Sequence, residues 1–339
     1  YLRRPDGRWR LASATDGTGS SPRHHLEPGL FANLALRYRM TAAGPWSAVA
    51  SERKEIVIAA LTPEQQSVPP APAGAAGPPA ADEAPGSAPE FTLVTLNLYH
   101  DRDDWPKRRV QIVDTLRALR PDAIVLQEVL QHEGLPNQAT WLARELGYHW
   151  HFVTTDPPSH ARRYGNALLS RQPLIEQGET LLHPLDDHRT AGMSRVLVDG
   201  RPLNLYFTHL HSAPDGGAIR AGQLADLMAY VEATSDGIAS AIAGDFNAEP
   251  GAPELAALRE GWDDAWAALH ADVDEEAAST LNPAYFASPA RIDHVFLQRG
   301  LLHPLEAELL FTTPDAAGTW ASDHRRLRVR FRIDDPATP

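Results

Sequence analysis

IASAIAGDFN, residues 238–247, is an apolar run closed by a carboxylate and, two positions later, by a carboxamide. Small and β-branched residues without a charge over 238–243 read as a buried strand. Asp245 and Asn247 are two apart, so in an extended segment their side chains point to the same side. The same arrangement recurs along the chain. Asn97 follows Thr92–Leu96, Glu128 follows Ile124–Gln127, and His209 ends Leu203–Thr208. Asp293 stands between Ile292 and His294-Val-Phe296, and Asp323-His324 precedes a last strand. Carboxylates, amides and imidazoles at strand ends line the mouth of an α/β fold.

Between these tips the elements alternate. Strands are expected at 91–96, 123–126, 165–170, 193–198, 203–208, 238–243, 292–297 and 326–332. Helices are expected at 105–119, 137–146, 217–233 and 253–260, the first with Val110, Ile112, Val113, Leu116 and Leu119 on one broad face. This alternation gives the α/β class. No repeat of fixed period is present.

Composition narrows the function classes. A length of 339 residues suits one large domain and a smaller one. The absence of cysteine excludes thiolate nucleophiles, disulfides and Cys-ligated zinc, and leaves the compartment open. No apolar run reaches the ~20 residues of a membrane span, so no transmembrane segment is expected. The charge of −13 sits on residues 91–339; residues 1–61 are net basic. An acidic body with only Lys54 and Lys107 as lysines repels polyanions at long range and does not suit a tight, non-specific DNA binder.

Residues 62–90, dense in Pro and Ala with one valine and no aromatic residue, cannot bury enough surface to offset ordering and are expected to be a disordered linker. Ahead of it, residues 1–61 hold short strand-like runs at Leu36–Met40 and Ile56–Ile58. Leu26-Glu-Pro-Gly29, Leu36–Ala42 and Gly44-Pro-Trp46-Ser47 resemble the later strands of a fibronectin type III module. The chain opens at Tyr1, so it is expected to be a processed or truncated product starting mid-domain. A linker behind such a module points to an extracellular or cell-envelope protein.

The ordered set Leu96-Asn97, Leu126-Gln127-Glu128, Tyr164-Gly165-Asn166-Ala167, Thr208-His209-Leu210, Gly244-Asp245-Phe246-Asn247, Arg291-Ile292-Asp293-His294 and Ser322-Asp323-His324 resembles the endonuclease/exonuclease/phosphatase superfamily across residues 91–333. The resemblance implies a four-layer αββα sandwich, as in deoxyribonuclease I. It also implies a Mg²⁺ site, with Mn²⁺ as the alternative ion. Asn97 and Glu128 suit an ion that prefers oxygen ligands, and by resemblance Asp323 completes the set.

On the same grounds Asp245 orients or deprotonates the attacking water, and Asn247 contacts phosphate or metal. Asp293 holds the His324 ring and favours imidazolium, with His324 acting as base or as charge stabiliser. His209 is a second imidazole at the phosphate. Asn166 and His211 are candidates for substrate contact. Arg220 and Gln223, three apart on one helix face, tie that helix to the His209 loop. Arg195 is read as a surface cation within possible reach of a phosphate, and His294 as structural.

The expected function is a metal-dependent phosphoester hydrolase acting as a monomer on nucleic acid, phospholipid or a small phosphate ester, with a phosphodiester preferred. The alternatives are a phosphomonoesterase, such as an inositol phosphate phosphatase, and a catalytically dead binding module on the same fold.

Overall fold

The computed structural model describes residues 88–334 throughout, and before them the backbone of four strands: β1 (Leu2–Arg3), β2 (Trp9–Arg10), β3 (Leu34–Arg39) and β4 (Glu55–Ala60). β3 and β4 pair antiparallel in the region expected to hold strands. The rest of the fibronectin-like resemblance and residues 62–87 of the expected linker lie outside the described residues.

The strand following the linker shows how the layers arise. In β5 (Glu90–Asn97) Phe91 and Leu93 point to one side, Val94 and Leu96 to the other, and all are buried. β6 (Ala123–Gln131) divides in the same way: Ala123 and Val125 join Phe91 and Leu93, whereas Ile124 and Leu126 join Val94 and Leu96. A strand covered on both faces reads as a continuous apolar run, which is why these two are conspicuous in the sequence.

The remaining strands are β7 (His149–Thr154), β8 (Arg163–Ser170), β9 (Glu176–Leu181), β10 (Thr190–Val198), β11 (Arg201–His209), β12 (Ser240–Asp245), β13 (Trp262–Asp264), β14 (Asp293–Gln298), β15 (Leu302–Leu310) and β16 (Arg326–Ile333). One sheet has the order β15-β16-β5-β6-β8-β7. The other runs β13-β14-β12-β11-β10-β9, with β1 and β2 at its edge. Their inner faces share a core including Phe91, Leu93, Val125, Leu205, Phe207, Val295 and Phe331. Helices Trp105–Leu119 and Gln138–Leu146 cover the first sheet, with Ile112, Leu116 and Leu142 buried on it. Helix Gly217–Thr234 covers the second, burying Leu224, Leu227 and Val231 beside Tyr206 and Ile242. The fold is the expected four-layer αββα sandwich.

Several element readings change. Val110 is exposed; the inward face runs through Trp105, Arg108, Ile112, Val113 and Leu116, so an arginine takes a core position. The helix expected over 253–260 divides into a 3₁₀ turn, Pro253–Leu255, and a short α-helix, Ala256–Arg259. The strand expected at 238–243 begins at Ser240 and extends to Asp245. Strands β7, β9, β13 and β15 gave no clear signal. β9 is half polar, and β15 is an edge strand whose Pro304 adjoins a register shift.

Two parallel pairs position the site. β5 and β6 are joined by the helix Trp105–Leu119, and β11 and β12 by the helix Gly217–Thr234. All four strands end at one edge of the sandwich. There the antiparallel β14 begins opposite β12, and β16 follows the Asp323-His324 loop.

Candidate active site

Register places three of the expected residues in a row across one sheet. His209 on β11 is opposite Asp245 on β12, and Asp245 is opposite Asp293 on β14. The His209–Asp245 approach depends on Gly244. It pairs with Thr208, and a Cβ there would fall 2.1 Å from the Thr208 carbonyl oxygen. The other sheet contributes Asn97 at the end of β5, whose Nδ2 donates to Asp245 Oδ2 at 3.1 Å. His209 Nε2 lies 3.4 Å from that same oxygen, and His324 Nε2 4.0 Å from it. His324 Nδ1 is 2.8 Å from Asp293 Oδ2. Asn97, His209, Asp245, Asp293, Asp323 and His324 are all buried.

The loop bearing Asp323 and His324 is fastened to β5. Ser322 Oγ donates to the Asn97 carbonyl at 2.7 Å and accepts from the His324 amide at 3.2 Å. Asn282 adds a bond from Nδ2 to the Ser322 carbonyl at 3.0 Å, and its backbone amide donates to the Asp323 carbonyl at 2.9 Å. Phe286, partly exposed, meets the His324 ring edge-on at 6.1 Å.

Glu128 is aimed by its backbone. β6 slips register against β8 between Leu126 and Val129, and Glu128 in that bulge has φ 57°. Bulges turn a side chain out of the strand's alternation and recur beside active sites. Its Oε2 lies 2.8 Å from His100 Nε2. Asn247 is also left-handed, at φ 49°, so the expected extended Asp245–Asn247 geometry does not hold. The Asn247 amide donates to Asp245 Oδ1 at 2.9 Å, closing a tight turn, and its Nδ2 donates to the Leu210 carbonyl.

Charge is distributed unevenly. Burial works against ionised Glu128, yet the His100 hydrogen bond and the nearby His209 and His324 hold it down at about 2. His209 itself is lowered to about 4 by burial, against the pull of Asp245, so at neutral pH its ring is uncharged. Burial also disfavours imidazolium at His324, but Asp293, Asp245 and Asp323 outweigh it and raise the group to about 10. Asp323 is raised to about 6 by burial and by the neighbouring Glu128 and Asp245 carboxylates. Asp245 is raised too, burial being the main cause.

Two donor sets suit a cation. Ligand atoms of Asp245, Asp293 and His324 all lie within 4.8 Å of one another. However, His324 spends Nδ1 on Asp293 and is cationic, which suits charge stabilisation better than ligation. Glu128, Asp323 and the Asn97 amide oxygen, expected from the sequence as ligands, are hard oxygen donors, and Asn97 Oδ1 accepts from the Tyr99 amide at 3.0 Å. Burial chiefly, and the Glu128 and Asp245 carboxylates after it, raise Asp323; the carboxylate part of that penalty is what a divalent cation would relieve.

Asn166 and His211 stand apart from these contacts. Asn166 Nδ2 lies 3.4 Å from the Thr190 carbonyl and hydroxyl. His211 Nδ1 is 2.9 Å from Asp187 Oδ1, and its amide donates to Gln223. Arg220 bonds the His211 and Ala213 carbonyls and Glu254, so Arg220 and Gln223 do fasten their helix to the loop after His209. Arg195 is not a surface cation: it is buried against Glu176, Asn204 and the Thr234 carbonyl. His294 is buried between Asp264 and the Ala248 carbonyl, a structural role.

Three contributors went unread in the sequence. His100 sits on Glu128 and stacks on the Tyr164 ring at 5.0 Å. Arg189 lies close enough to His209 to help keep it neutral. Arg108 donates to five carbonyls, those of Leu98, Tyr99, His100, Arg102 and Ala321, and so joins the loop after Asn97 to the loop before Asp323. Only Arg108 left a sequence signal, as an arginine in phase with Trp105, Ile112 and Leu116 on the helix's apolar face.

A sequence model of the endonuclease/exonuclease/phosphatase family matches residues 94–324. No curated protein sequence matches the chain. Among solved structures, humanized D. rerio TDP2 superposes with a TM-score of 0.61 at 19% identity, covering 72% of this chain and 99% of that one. The human Nocturnin catalytic domain with bound sulfate anion gives 0.61 at 22% identity, covering 73% and 94%. An endonuclease/exonuclease/phosphatase from Beutenbergia cavernae gives 0.57 at 22% identity, covering 73% and 72%. At these identities the superpositions establish the fold.

Proposed function

Since the chain belongs to the endonuclease/exonuclease/phosphatase family, whose members hydrolyse phosphoesters, we propose that it is a Mg²⁺-dependent phosphodiesterase of nuclease-like or phospholipid-cleaving type. The observation that carries this reading is the row His209, Asp245 and Asp293 across three strands, with His324 held on Asp293 at 2.8 Å.

Glu128, Asp323 and the Asn97 amide oxygen would hold a divalent cation, which when bound would supply charge to offset the phosphate and Lewis acidity at a phosphoryl oxygen. Asp245 Oδ2, steadied by the Asn97 amide, orients the attacking water and takes its proton. Burial raises this carboxyl and so strengthens it as a base. His324, kept cationic by Asp293, donates from Nε2 to a non-bridging phosphate oxygen, and neutral His209 donates a second hydrogen bond. Asn247, anchored to Leu210, reaches phosphate or metal with the rest of its carboxamide. Asn166 and His211, engaged with Thr190 and with Asp187, support the rim of the substrate site.

The test is hydrolysis of a panel of plasmid DNA, RNA, sphingomyelin and inositol phosphates, with Mg²⁺ or EDTA, using Asp245→Ala as control. Turnover of a phosphodiester that EDTA abolishes is expected. Loss of the base should cost about 10²–10⁴ in rate. Turnover indifferent to both EDTA and Asp245→Ala overturns the proposal. Metal-dependent turnover of monoesters alone would favour the phosphatase alternative, and none on any substrate the binding-module alternative.

A further inference from the structure

Among the described residues, Phe286 is the one Phe, Tyr or Trp that is exposed, at 37%. A lone exposed apolar side chain is ordinary; its place carries the argument. The ring stands perpendicular to His324, 89° and 6.1 Å away, and His324 Nε2 is 4.0 Å from Asp245 Oδ2. The loop that bears Phe286 is fastened to the site. The Tyr285 and Phe286 amides donate to the Asn282 carbonyl at 2.9 and 3.0 Å, and Asn282 bonds the Ser322 and Asp323 carbonyls. The adjoining residue, Tyr285, lines a cleft of about 320 Å³ together with Trp320, Lys107, Asp103 and Asp104. Tyr285 also meets Tyr99 edge-on at 5.6 Å, and Arg102 lies over the Tyr99 ring at 5.4 Å. These aromatic residues come from the segments that carry the site: Tyr99 just after Asn97, Trp320 just before Asp323, and Tyr285 and Phe286 on the loop tied to Ser322.

We propose that Phe286 is the platform on which the nucleobase next to the scissile phosphate stacks, that the strand continues along the cleft at Tyr285 and Trp320, and that the substrate is therefore single-stranded nucleic acid. A chain of charge −13 repels polyanions, so phosphate pairing alone cannot hold the substrate. Stacking on aromatic rings holds bases without that attraction and tolerates any sequence, because every base has a π face. In a duplex those faces are covered by their neighbours, which leaves single strands as the fitting form. A lipid surface is disfavoured. It would need a contiguous apolar patch, whereas the other exposed large apolar residues, Val110, Leu197, Leu269 and Val273, lie on other elements. The inference rests on the phosphodiesterase reading above and adds to it a substrate class and the residues that select it.

The experiment compares two fluorogenic substrates in Mg²⁺: single-stranded deca-thymidylate, and the same sugar–phosphate chain with every base removed. Their phosphates are identical, so charge cannot distinguish them. In wild type the KM for the thymidylate should be about five- to a hundredfold below that for the abasic chain. Phe286→Ala and Phe286→Leu should lose most of this ratio through a higher KM for the thymidylate, with kcat changing less than KM. Phe286→Trp should keep or enlarge it. Leucine retains apolar bulk without a π face and tryptophan restores the face, so a lost stack is told apart from a disturbed loop. Trp320→Ala should shrink the ratio in part. A wild-type ratio near one, or a ratio that survives Phe286→Ala, overturns the assignment while leaving a phosphodiesterase intact; a ratio unmoved by Trp320→Ala overturns the path through the cleft. Cleavage of sphingomyelin vesicles in preference to both chains overturns the assignment in favour of a lipid substrate. No metal-dependent turnover of any of these diesters overturns both readings.

Discussion

Asp293→Asn isolates what the buried Asp–His pair contributes. Burial lowers His324, but Asp293 heads the influences that carry it from 6.5 to about 10. At a tenfold change in equilibrium per pH unit, that displacement is roughly 5 kcal/mol in favour of imidazolium. Asparagine keeps the shape and an acceptor oxygen but removes the charge. Burial still opposes the charge while Asp245 and Asp323 still favour it, so without its main partner His324 in the variant should fall back toward 6.5. At pH 8.5 about 1% of a group titrating at 6.5 is protonated.

The assay is kcat/KM against pH from 6 to 9. Wild type should show no loss attributable to His324 across that range. Asp293→Asn should fall about fiftyfold between pH 6.5 and 8.5, recovering as pH is lowered. Stability follows the same sign. A group raised in the folded state stabilises fully below its unfolded pKa and loses that contribution as pH climbs to its folded one. The His324 contribution is therefore complete below pH 6.5 and gone above about 10, and Asp293→Asn should abolish this alkaline slope in thermal unfolding. An alkaline limb that does not move in the variant, or a ¹⁵N imidazole signal showing neutral His324 in wild type at pH 8, refutes the reasoning.

Arg108→Met deprives five carbonyls of their donor, the buried ones of Leu98 and Ala321 among them, and at about 1–3 kcal/mol for each buried acceptor should cost about 2–6 kcal/mol in chemical denaturation, with Arg108→Lys recovering only part because three donors on a flexible stem cannot replace a planar fork. Glu128→Gln should remove the rise in melting temperature that wild type gains from millimolar Mg²⁺. The variant should also lack the wild-type loss of stability between pH 4.5 and about 2, because a carboxyl lowered in the folded state stabilises above its unfolded pKa and ceases to as pH falls through its folded one. Gly244→Ala forces a Cβ to 2.1 Å from the Thr208 oxygen, so it should part β11 from β12 and lower both melting temperature and kcat; an unchanged kcat would show that the His209–Asp245 spacing does not matter.

The sandwich was legible because its central strands are covered on both faces. Runs such as Thr92–Leu96, Ala123–Leu126 and Leu203–Thr208 are apolar for that reason and stand out from their surroundings. Edge strands carry no such mark: β15 contains His303, Pro304, Glu306 and Glu308 and pairs on one side only. The buried ion pair of Arg195 and Glu176 was unreadable for a related reason. Neither residue announces burial until the sheet brings β9 beside β10.

At the site itself, strand periodicity stops being a guide. Asp245 and Asp293 still obey it, since both are strand residues in register. Glu128, Asn247 and His100 do not, because each lies where the backbone has crossed into the left-handed region and side chains no longer alternate. A sequence can therefore identify that a carboxylate follows a strand, as it did for Glu128, without revealing that a bulge turns it toward a histidine 28 positions earlier. Local conformations that cost energy survive where the surrounding structure enforces them. Here the enforcement is visible in Arg108, whose guanidinium fixes the carbonyls of Tyr99 and His100, and in Gln138, which holds His100 from the other side. The residues least predictable from pattern are thus those that position the groups most easily recognised.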